Sequence, residues 1–150
     1  MQQKVSDLWI NRDKGLPLKS PYDAIILASL IENETALDNE KTLISGVFIR
    51  RINEGMRLQA DPTVFYALGD TYTPPLKKAD LKIDSLYNTY RNKGLPPGAI
   101  SSVSYQSLYA ALHPEKGNDL YFVSKKDGSH AFAPSYKEHK ENIKKYLNNN

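Results

Sequence analysis

Residues 20–35 read SPYDAIILASLIENET and carry the strongest helix signal in the chain. Ser20 fits the N-cap position, Pro21 suits the first helical position, and Asp23 completes a variant of the capping box. The apolar run that follows predicts a helix that continues to about Leu37. This helix also holds the first candidate for a functional group.

The last turn of this helix carries a charge where its apolar stripe calls for a core residue. Leu27, Leu30 and Ile31 recur at helical spacing, and Glu34 follows them at i+7, i+4 and i+3. Burial raises the pKa of a carboxyl group, which a general acid near neutral pH needs. The same pattern also fits a helix that simply emerges into solvent at Glu34. Glu32 faces elsewhere and is expected to be solvated or structural.

Shorter elements are predicted on either side of this helix. Gly55 fits a helix C-terminal cap, Ser104 fits an N-cap, and residues 126–129 fit a turn between two strands. The predicted elements are helices over residues 4–13, 40–53, 61–68, 104–112 and 138–147, an ordered loop over 85–100, and strands over 120–123 and 130–132. The helix over 40–53 is expected to bury Leu43, Ile44, Val47, Phe48 and Ile52. The expected fold class is α+β, mainly helical, with a small antiparallel β-hairpin near the C-terminus.

Length and composition favour one domain, residues 1–150, with a single core, and also allow two small lobes. The chain has 150 residues, of which 40% are hydrophobic and 25% charged, an ordinary globular balance. Its 20 basic and 17 acidic residues are scattered and give a net charge of +3, which argues against nucleic-acid binding. The absence of cysteine excludes disulfides, thiolate metal sites and cysteine nucleophiles. The three asparagines at 148–150 are expected to fray.

Membrane and targeting signals are weak. The longest apolar run, residues 24–31, is far shorter than a membrane span, and the first fifteen residues lack the apolar core of a signal peptide. We therefore expect either a cytosolic protein or a soluble fragment that lacks its targeting segment. No membrane contact is expected from this chain itself.

Polar side chains around residue 60 form a second candidate cluster. Gln59, Asp61 and Thr63 lie close together in sequence, and Asp61-Pro62 has the order of a helix cap followed by proline. Capping explains Asp61 without any functional role, whereas Gln59 and Thr63 have no equally good structural explanation. Glu40 begins the predicted second helix, where a carboxylate complements the helix dipole.

Tyrosines concentrate in the predicted loop and near it. A tyrosine ring offers a flat apolar face for stacking on a sugar and a hydroxyl for hydrogen bonding. Tyrosine is also common at ordinary half-buried positions. The candidates for a carbohydrate groove are Tyr66, Tyr87, Tyr90 and Tyr121, together with Asn88 and Thr89.

The three histidines do not have the spacing of a metal site. His113 precedes a proline, and His139 lies on the final basic helix, so neither pairs with carboxylates as metal ligands do. His130 opens a strand and could bind substrate, orient an acid or serve the structure. Phosphate-binding glycine loops and nucleophile elbows are absent, and residues 38–40 lack the rest of a calcium loop. Neither a metal nor an organic cofactor is expected.

Several collinear motifs together resemble the YceG-like family of endolytic murein transglycosylases. The motifs are ASLIENET at 28–35, GVFIRRI at 46–52, GMRLQADPTV at 55–64, YNTY at 87–90, GLPPGAI at 94–100, LYFV at 120–123 and GSHAF at 128–132. They cover nearly the whole chain from about residue 20. The resemblance implies a lysozyme-like or transglycosylase-like catalytic core over residues 20–147, preceded by a lead-in helix and linker over 1–19.

The resemblance implies roles for individual residues. Glu34 matches the catalytic glutamate of the family, and Glu32, Thr35 and Glu40 are candidates for supporting roles. The family's usual Glu-Arg pair is Glu40-Lys41 here, and a lysine does not reproduce the bidentate fork of an arginine. The implied substrate-binding side chains are Gln59, Asp61, Thr63, Tyr66, Tyr87, Asn88, Thr89, Tyr90, Tyr121 and His130.

The implied reaction is lytic cleavage of the β-1,4 bond between N-acetylmuramic acid and N-acetylglucosamine in peptidoglycan, which leaves 1,6-anhydro ends. The nucleophile belongs to the substrate, so a second carboxylate is not needed as it is in ordinary glycosidases. Two alternatives remain open at this point. One is a hydrolytic muramidase with Asp61 as its second acid, and the other is a non-catalytic peptidoglycan-binding module.

Full-length members of the family resemble proteins with a membrane anchor and a small LysM-like lobe before the catalytic region. This chain contains neither feature, so we expect an excised or naturally minimal catalytic domain. The resemblance implies a place at the periplasmic face of the inner membrane for the full-length protein. It also implies glycan strands as the substrate and cell-wall synthases as partners.

Overall fold

The computed structural model describes residues 2–147, so the predicted fraying of residues 148–150 lies outside the described part. The helices are α1 (Gln2–Ile10), α2 (Pro21–Glu34), α3 (Asp38–Asn53), α4 (Asp61–Leu68), α5 (Tyr105–Leu112) and α6 (Tyr136–Tyr146), and the strands are β1 (Tyr121–Ser124) and β2 (His130–Ala133). Residues 69–71 and 80–82 form short 3₁₀ turns. The predicted α+β class, mainly helical with a C-terminal hairpin, is confirmed.

Helix α2 begins as its sequence predicts. The Ser20 hydroxyl accepts a hydrogen bond from the Asp23 N–H at 3.3 Å, and the Asp23 carboxylate accepts one from the Lys19 N–H at 2.9 Å. The helix ends at Glu34, three residues before the predicted end, because Thr35 is extended with φ −146° and ψ 143°. Glu34 therefore lies at the C-terminus of α2 rather than within a continuing helix.

The hydrophobic core is built around α2. Leu27, Leu30 and Ile31 are fully buried, as the apolar stripe predicts. Helices α3 and α5 pack against α2, and α1 adds Leu8 to the same core, with Trp9 packed beside it. The lead-in helix is thus part of the core, although it ends at Ile10 rather than at the predicted residue 13.

Helix α3 extends from Asp38 and ends before Gly55, whose φ of +70° suits the predicted glycine cap. Ile44, Val47 and Phe48 are buried as predicted. The helix is covered on more than one face, however. Its buried residues also include Glu40, Lys41, Ser45, Gly46, Ile49 and Arg51, whereas the predicted Leu43 and Ile52 are only partly buried.

The start of α4 differs from its sequence prediction. Ala60 occupies the N-cap position, and no side chain caps the helix. The prediction that Asp61 caps α4 is therefore wrong, because its carboxylate accepts a hydrogen bond from the Tyr90 hydroxyl instead. The Thr63 hydroxyl donates to the Ala60 carbonyl at 2.7 Å and closes the first turn.

The C-terminal hairpin and α6 cover the side of the core beyond α3. Strands β1 and β2 are antiparallel, with Tyr121 opposite Ala133 and Ser124 opposite His130. Phe122 packs edge-on against Phe48 at 5.7 Å between ring centroids. Helix α6 packs on both strands and begins two residues earlier than predicted, because Ser135 caps it.

The predicted cap of α5 is confirmed, since the Ser104 hydroxyl accepts from the Ser107 N–H at 3.2 Å. Residues 85–100 form the expected loop without helix or strand. Among residues 2–147, no helix has the length and apolar character that crossing a membrane requires.

Candidate functional site

A cavity of about 390 Å³ opens where the end of α2 meets α3, α4, the loop over 85–100, the hairpin and α6. Six side chains predicted as site residues line it: Glu34, Gln59, Asp61, Tyr90, Tyr121 and His130. These six residues come from five separate parts of the sequence. The cavity is therefore a product of the tertiary fold, whereas each residue alone is only a candidate.

Glu34 extends into the cavity from the last turn of α2. The residue as a whole is half-buried, but its Oε2 atom is fully buried and has no hydrogen-bond partner. Burial, and then the negative charge of Asp61, raise the pKa of Glu34 to about 8. The predicted rise in pKa is confirmed, and the carboxyl group carries its proton at neutral pH.

Asp61 and Tyr90 form a hydrogen-bonded pair in the cavity wall. The Tyr90 hydroxyl donates to Asp61 Oδ1 at 2.5 Å. Burial, the hydrogen bond to Asp61 and its charge all raise the pKa of Tyr90 far above the usual range. Tyr90 therefore stays neutral and acts as a donor, which fixes the position of the Asp61 carboxylate.

His130 is held by Glu40. Glu40 Oε2 accepts the His130 backbone N–H at 2.9 Å, and Oε1 lies 2.8 Å from His130 Nδ1. Because an ionised carboxylate only accepts hydrogen bonds, Nδ1 carries a proton, and in neutral His130 the Nε2 atom is an acceptor. Glu40 is only 7% exposed, so it anchors the hairpin to α3 rather than merely complementing a helix dipole in solvent.

The other two candidates for supporting roles do not line the cavity. The Glu32 carboxylate accepts a hydrogen bond from the Ser104 N–H at 2.7 Å. Burial acts to raise the pKa of Glu32, but hydrogen bonds from Ser104 and Ser107 outweigh burial, so the pKa is lowered. This position agrees with the predicted structural role. Thr35 is buried, and its hydroxyl lies 3.4 Å from Glu40 Oε1, so it acts on the site only through Glu40.

Lys41, which the resemblance places at the position of an arginine, is buried and is not among the residues that line the cavity. Its Nζ pairs with Asp38 Oδ1 at 3.2 Å and contacts the Ser104 hydroxyl at 3.4 Å. The side chain thereby links the start of α3 to the start of α5.

Thr63, Asn88 and Thr89 are at most 1% exposed and lie behind the cavity wall. The hydroxyls of Thr63 and Thr89 are 2.8 Å apart. The Asn88 side-chain amide donates to two backbone carbonyls, and its oxygen accepts a hydrogen bond from the Tyr90 N–H at 2.9 Å. Their polar atoms are thus occupied within the protein. Their burial contradicts the prediction that these three side chains contact substrate. They have a structural role instead, and Asn88 positions Tyr90.

Tyr66 and Tyr87 also lie outside the cavity lining. Their rings pack together at 4.8 Å between centroids, and Tyr66 is 48% exposed. A Cβ atom at Gly98 would approach the Tyr87 hydroxyl at 2.9 Å, which explains the glycine there. The pair forms an aromatic surface beyond the cavity, and its contact with glycan remains a prediction.

Sequence reasoning did not single out Arg51 or His139, which both line the cavity. Arg51 follows Ile44, Val47 and Phe48 at i+7, i+4 and i+3, the same signal that pointed to Glu34. His139 gives no such signal, because α6 reaches the cavity only through packing on the hairpin. Its Nδ1 is buried without a partner, and burial, followed by the charge of Arg51, lowers its pKa.

No group of three or more histidine, aspartate or glutamate side chains within residues 2–147 is arranged to hold a metal ion. What the cavity does contain is one protonated glutamic acid, a fixed carboxylate, a neutral tyrosine donor and a histidine with an available ring nitrogen. Such a set can protonate, deprotonate and hydrogen-bond a polar substrate. The fold and the site together define a mainly helical α+β domain with a protonated glutamic acid in a polar cavity.

The sequence profile of the YceG-like family matches residues 1–145, and the chain belongs to this family. It is 44% identical over 128 residues to an endolytic murein transglycosylase of Bacillus subtilis, covering 85% of this chain and 35% of the relative. It is 34% identical over 131 residues to an endolytic murein transglycosylase of Streptococcus pneumoniae, covering 84% of this chain and 24% of the relative. The chain thus spans about a third or less of these relatives.

The fold agrees with a solved structure of the same family. A 2.6 Å crystal structure of a YceG-like protein from Listeria monocytogenes superposes with a TM-score of 0.76 at 36% sequence identity. The superposition covers 93% of this chain and 42% of the other. The arrangement of helices and hairpin is therefore shared with a solved YceG-like protein.

Proposed function

We propose that this chain is the catalytic region of an endolytic murein transglycosylase. Its substrate is the β-1,4 bond between N-acetylmuramic acid and N-acetylglucosamine in peptidoglycan strands, and its product carries a 1,6-anhydro end. The names of the Bacillus and Streptococcus relatives support this activity. The observation that carries the proposal is Glu34, a buried carboxyl group that keeps its proton at neutral pH inside a polar cavity.

The first half of the reaction uses the proton of Glu34. With a pKa of about 8, the side chain is protonated at pH 7 and donates this proton to the glycosidic oxygen as the bond to C1 of the muramic acid breaks. The oxygen leaves as the free hydroxyl of N-acetylglucosamine. Asp61 sits in the same cavity as a fixed negative charge, which stabilises the positive charge that develops on the sugar ring.

The second half returns the proton to Glu34. The C6 hydroxyl oxygen of the muramic acid bonds to C1 and closes the 1,6-anhydro ring, while its proton passes to the Glu34 carboxylate. A carboxylate with a raised pKa is a stronger base than an ordinary glutamate, so the same burial serves both steps. No water is consumed, and the enzyme ends in its starting protonation state.

The remaining cavity side chains supply contacts for the sugars. Tyr121 offers an aromatic face, and Gln59 an amide that both donates and accepts hydrogen bonds. His130, held by Glu40 through Nδ1, presents Nε2 as an acceptor for a substrate hydroxyl. These three contacts account for binding, while Glu34 accounts for chemistry.

The site of action follows from the substrate. Peptidoglycan lies outside the cytoplasm, so we propose that the chain acts there. Cell-wall synthases as partners and a membrane anchor remain expectations of the family resemblance. The relatives' names favour cleavage over binding alone, and a transglycosylase over a muramidase.

The proposal is tested by mass spectrometry of the products that purified glycan strands yield. The wild type should release anhydro products, and Glu34→Gln should lower their rate of formation by about 10³-fold, within the range for loss of a general acid. Glu32→Gln is the matched control, because Glu32 is on the same helix but faces Ser104. Products that contain added water would instead establish a hydrolase, and full activity of Glu34→Gln would refute the role of Glu34.

A further inference from the structure

A second groove, of about 480 Å³, continues from the cavity. Three residues, Arg51, Gln59 and Tyr121, line both spaces, so the two are adjacent along a shared wall. Beyond this wall the groove is bordered by residues 55–57 and by Lys93 and Tyr136. A substrate bound beside Glu34 can therefore extend a substituent into the groove without leaving the protein surface.

The groove is positively charged. Arg51, Arg57 and Lys93 line it, and none of its lining residues is an aspartate or glutamate. Arg57 and Lys93 are exposed, and neither forms an ion pair with a carboxylate among residues 2–147. Because no carboxylate of the described residues pairs with them, these two cations are available to an anionic ligand.

Arg51 is fixed in the wall between the two spaces. Its Nε donates to the Leu120 carbonyl at 2.6 Å, its Nη1 donates to the Arg57 carbonyl at 2.7 Å, and its guanidinium lies 4.9 Å from the Tyr121 ring centroid. The positive charge is thus held in one position, and the bond to the Arg57 carbonyl ties the backbone of the groove to α3. A preorganised cation of this kind favours an anion without first having to be ordered.

Gln59 marks the junction between cavity and groove. Its φ of +51° places a non-glycine residue in the left-handed region, where strain of about 1–2 kcal/mol is usual. Its backbone N–H donates to the Thr89 carbonyl at 3.2 Å, which holds this conformation. Gln59 lines both spaces, so the strained residue lies where the groove meets the cavity.

We propose that this basic groove binds the carboxylates of the peptide stem attached to the muramic acid of the bound strand. This inference rests on the proposed function, and it adds that the preferred substrate is a strand whose stems are present and charged. In murein the stem is joined to the sugar ring next to the bond that Glu34 cleaves. A groove adjacent to the cavity, with free cations and no carboxylate, has the position and the charge that such a substituent requires.

The first test compares two preparations of the same glycan strands, one with intact stems and one from which an amidase has removed them. For the wild type, kcat/KM should be about tenfold higher on stem-bearing strands, as expected for two partly exposed charge contacts. Strands whose stem carboxylates are amidated should behave like the stem-free strands. Equal kcat/KM on all three preparations would overturn the proposal.

The second test removes the free cations. The double variant Arg57→Gln/Lys93→Gln should cleave stem-bearing strands at the rate of stem-free strands and leave cleavage of stem-free strands unchanged. The control is Lys19→Gln/Lys78→Gln, which makes the same change in net charge at exposed positions outside both spaces. A groove variant that keeps the stem preference, or that loses activity equally on both substrates, would contradict the assignment.

Binding to Glu34→Gln separates this inference from the proposed function. Fluorescence anisotropy of labelled strands on this variant measures stem preference without any cleavage. If Glu34→Gln prefers stem-bearing strands through Arg57 and Lys93 while the wild type cleaves nothing, the groove assignment holds and the proposed reaction fails. If the Arg57 and Lys93 pair binds anionic lipid vesicles but shows no stem preference, the groove belongs to a different ligand and the proposal is wrong.

Discussion

Two sets of polar side chains, one behind the cavity wall and one facing the cavity, differ in how their hydrogen bonds are satisfied. Behind the cavity wall, Thr63, Asn88 and Thr89 are buried and bonded to one another or to the backbone. Facing the cavity, Glu34 keeps a buried oxygen without a partner, and Asp61 keeps a charge exposed. The fully bonded set stabilises the loop, whereas the incompletely bonded set is left free for a substrate.

This difference has a thermodynamic consequence, because an unpartnered buried acid costs stability once its proton is lost. The folded-state pKa of Glu34 is about 8, against about 4.5 for the ordinary group. Between these values the unfolded chain releases a proton that the folded protein retains, so stability falls as pH rises and levels off above pH 8. The incompletely bonded set is therefore expected to destabilise the fold, and the fully bonded set to stabilise it.

The largest expected effect is on the stability of the Glu34→Gln variant and its dependence on pH. Relative to the wild type, this variant should gain about 2–4 kcal/mol in free energy of unfolding as pH rises from 4.5 to 8, since an amide has no proton to lose. Urea unfolding of both proteins at pH 5 and pH 8 measures the difference, and all other titrating groups cancel. A difference that does not change with pH would mean that Glu34 is not buried as an acid.

The next effect is on the fully bonded set. Asn88→Ala leaves the Leu81 and Ile83 carbonyls and the Tyr90 N–H without their partner, and should lower the free energy of unfolding by about 2 kcal/mol. Asn118→Ala, at an exposed asparagine, should change it by less than about 0.5 kcal/mol. Urea unfolding measures both. Lost activity with unchanged stability in Asn88→Ala would restore the original prediction that Asn88 contacts substrate.

The smallest expected effect is a change in the pKa of Glu34 when the charge of Asp61 is removed. Its charge is the second cause, after burial, of the raised pKa of Glu34. Asp61→Asn keeps an oxygen that can accept from Tyr90 but removes the charge, so the pKa of Glu34 should fall. The alkaline limb of the pH–rate profile, where Glu34 loses its proton, should move to lower pH. An unmoved limb would show that the limb belongs to another group.

The sequence predicted those features that depend on local chemistry and helical phase. The Ser20 cap, the buried stripe of Leu27, Leu30 and Ile31, and the placement of Glu34 on that stripe all follow from contacts within one helix. Separation of Glu34 from Glu32 follows from the same phase. The hairpin strands were predicted for a similar reason, because turn residues and apolar neighbours are adjacent in the chain.

Features that depend on which elements meet were not predictable in this way. Asp61 and Tyr90 are far apart in sequence, so a local pattern could only suggest that Asp61 caps its own helix. The burial of Glu40 depends on His130, which is 90 positions away. Likewise, a local pattern could not predict that Thr89 is buried against Ala60 and Thr63, 26 to 29 positions away. The same holds for Asn88, whose amide is occupied by the Leu81 and Ile83 carbonyls.

The sequence by itself therefore placed Glu34 on the apolar stripe at the end of the central helix, and its motifs indicated the family. The tertiary structure decided that this acid is buried and what surrounds it: which carboxylate raises its pKa, which histidines line the same cavity, and which cations border the adjacent groove. The physical reason is the distance along the chain over which each effect acts. Helical phase and capping act over a few residues, whereas desolvation and charge act between groups that only folding brings together.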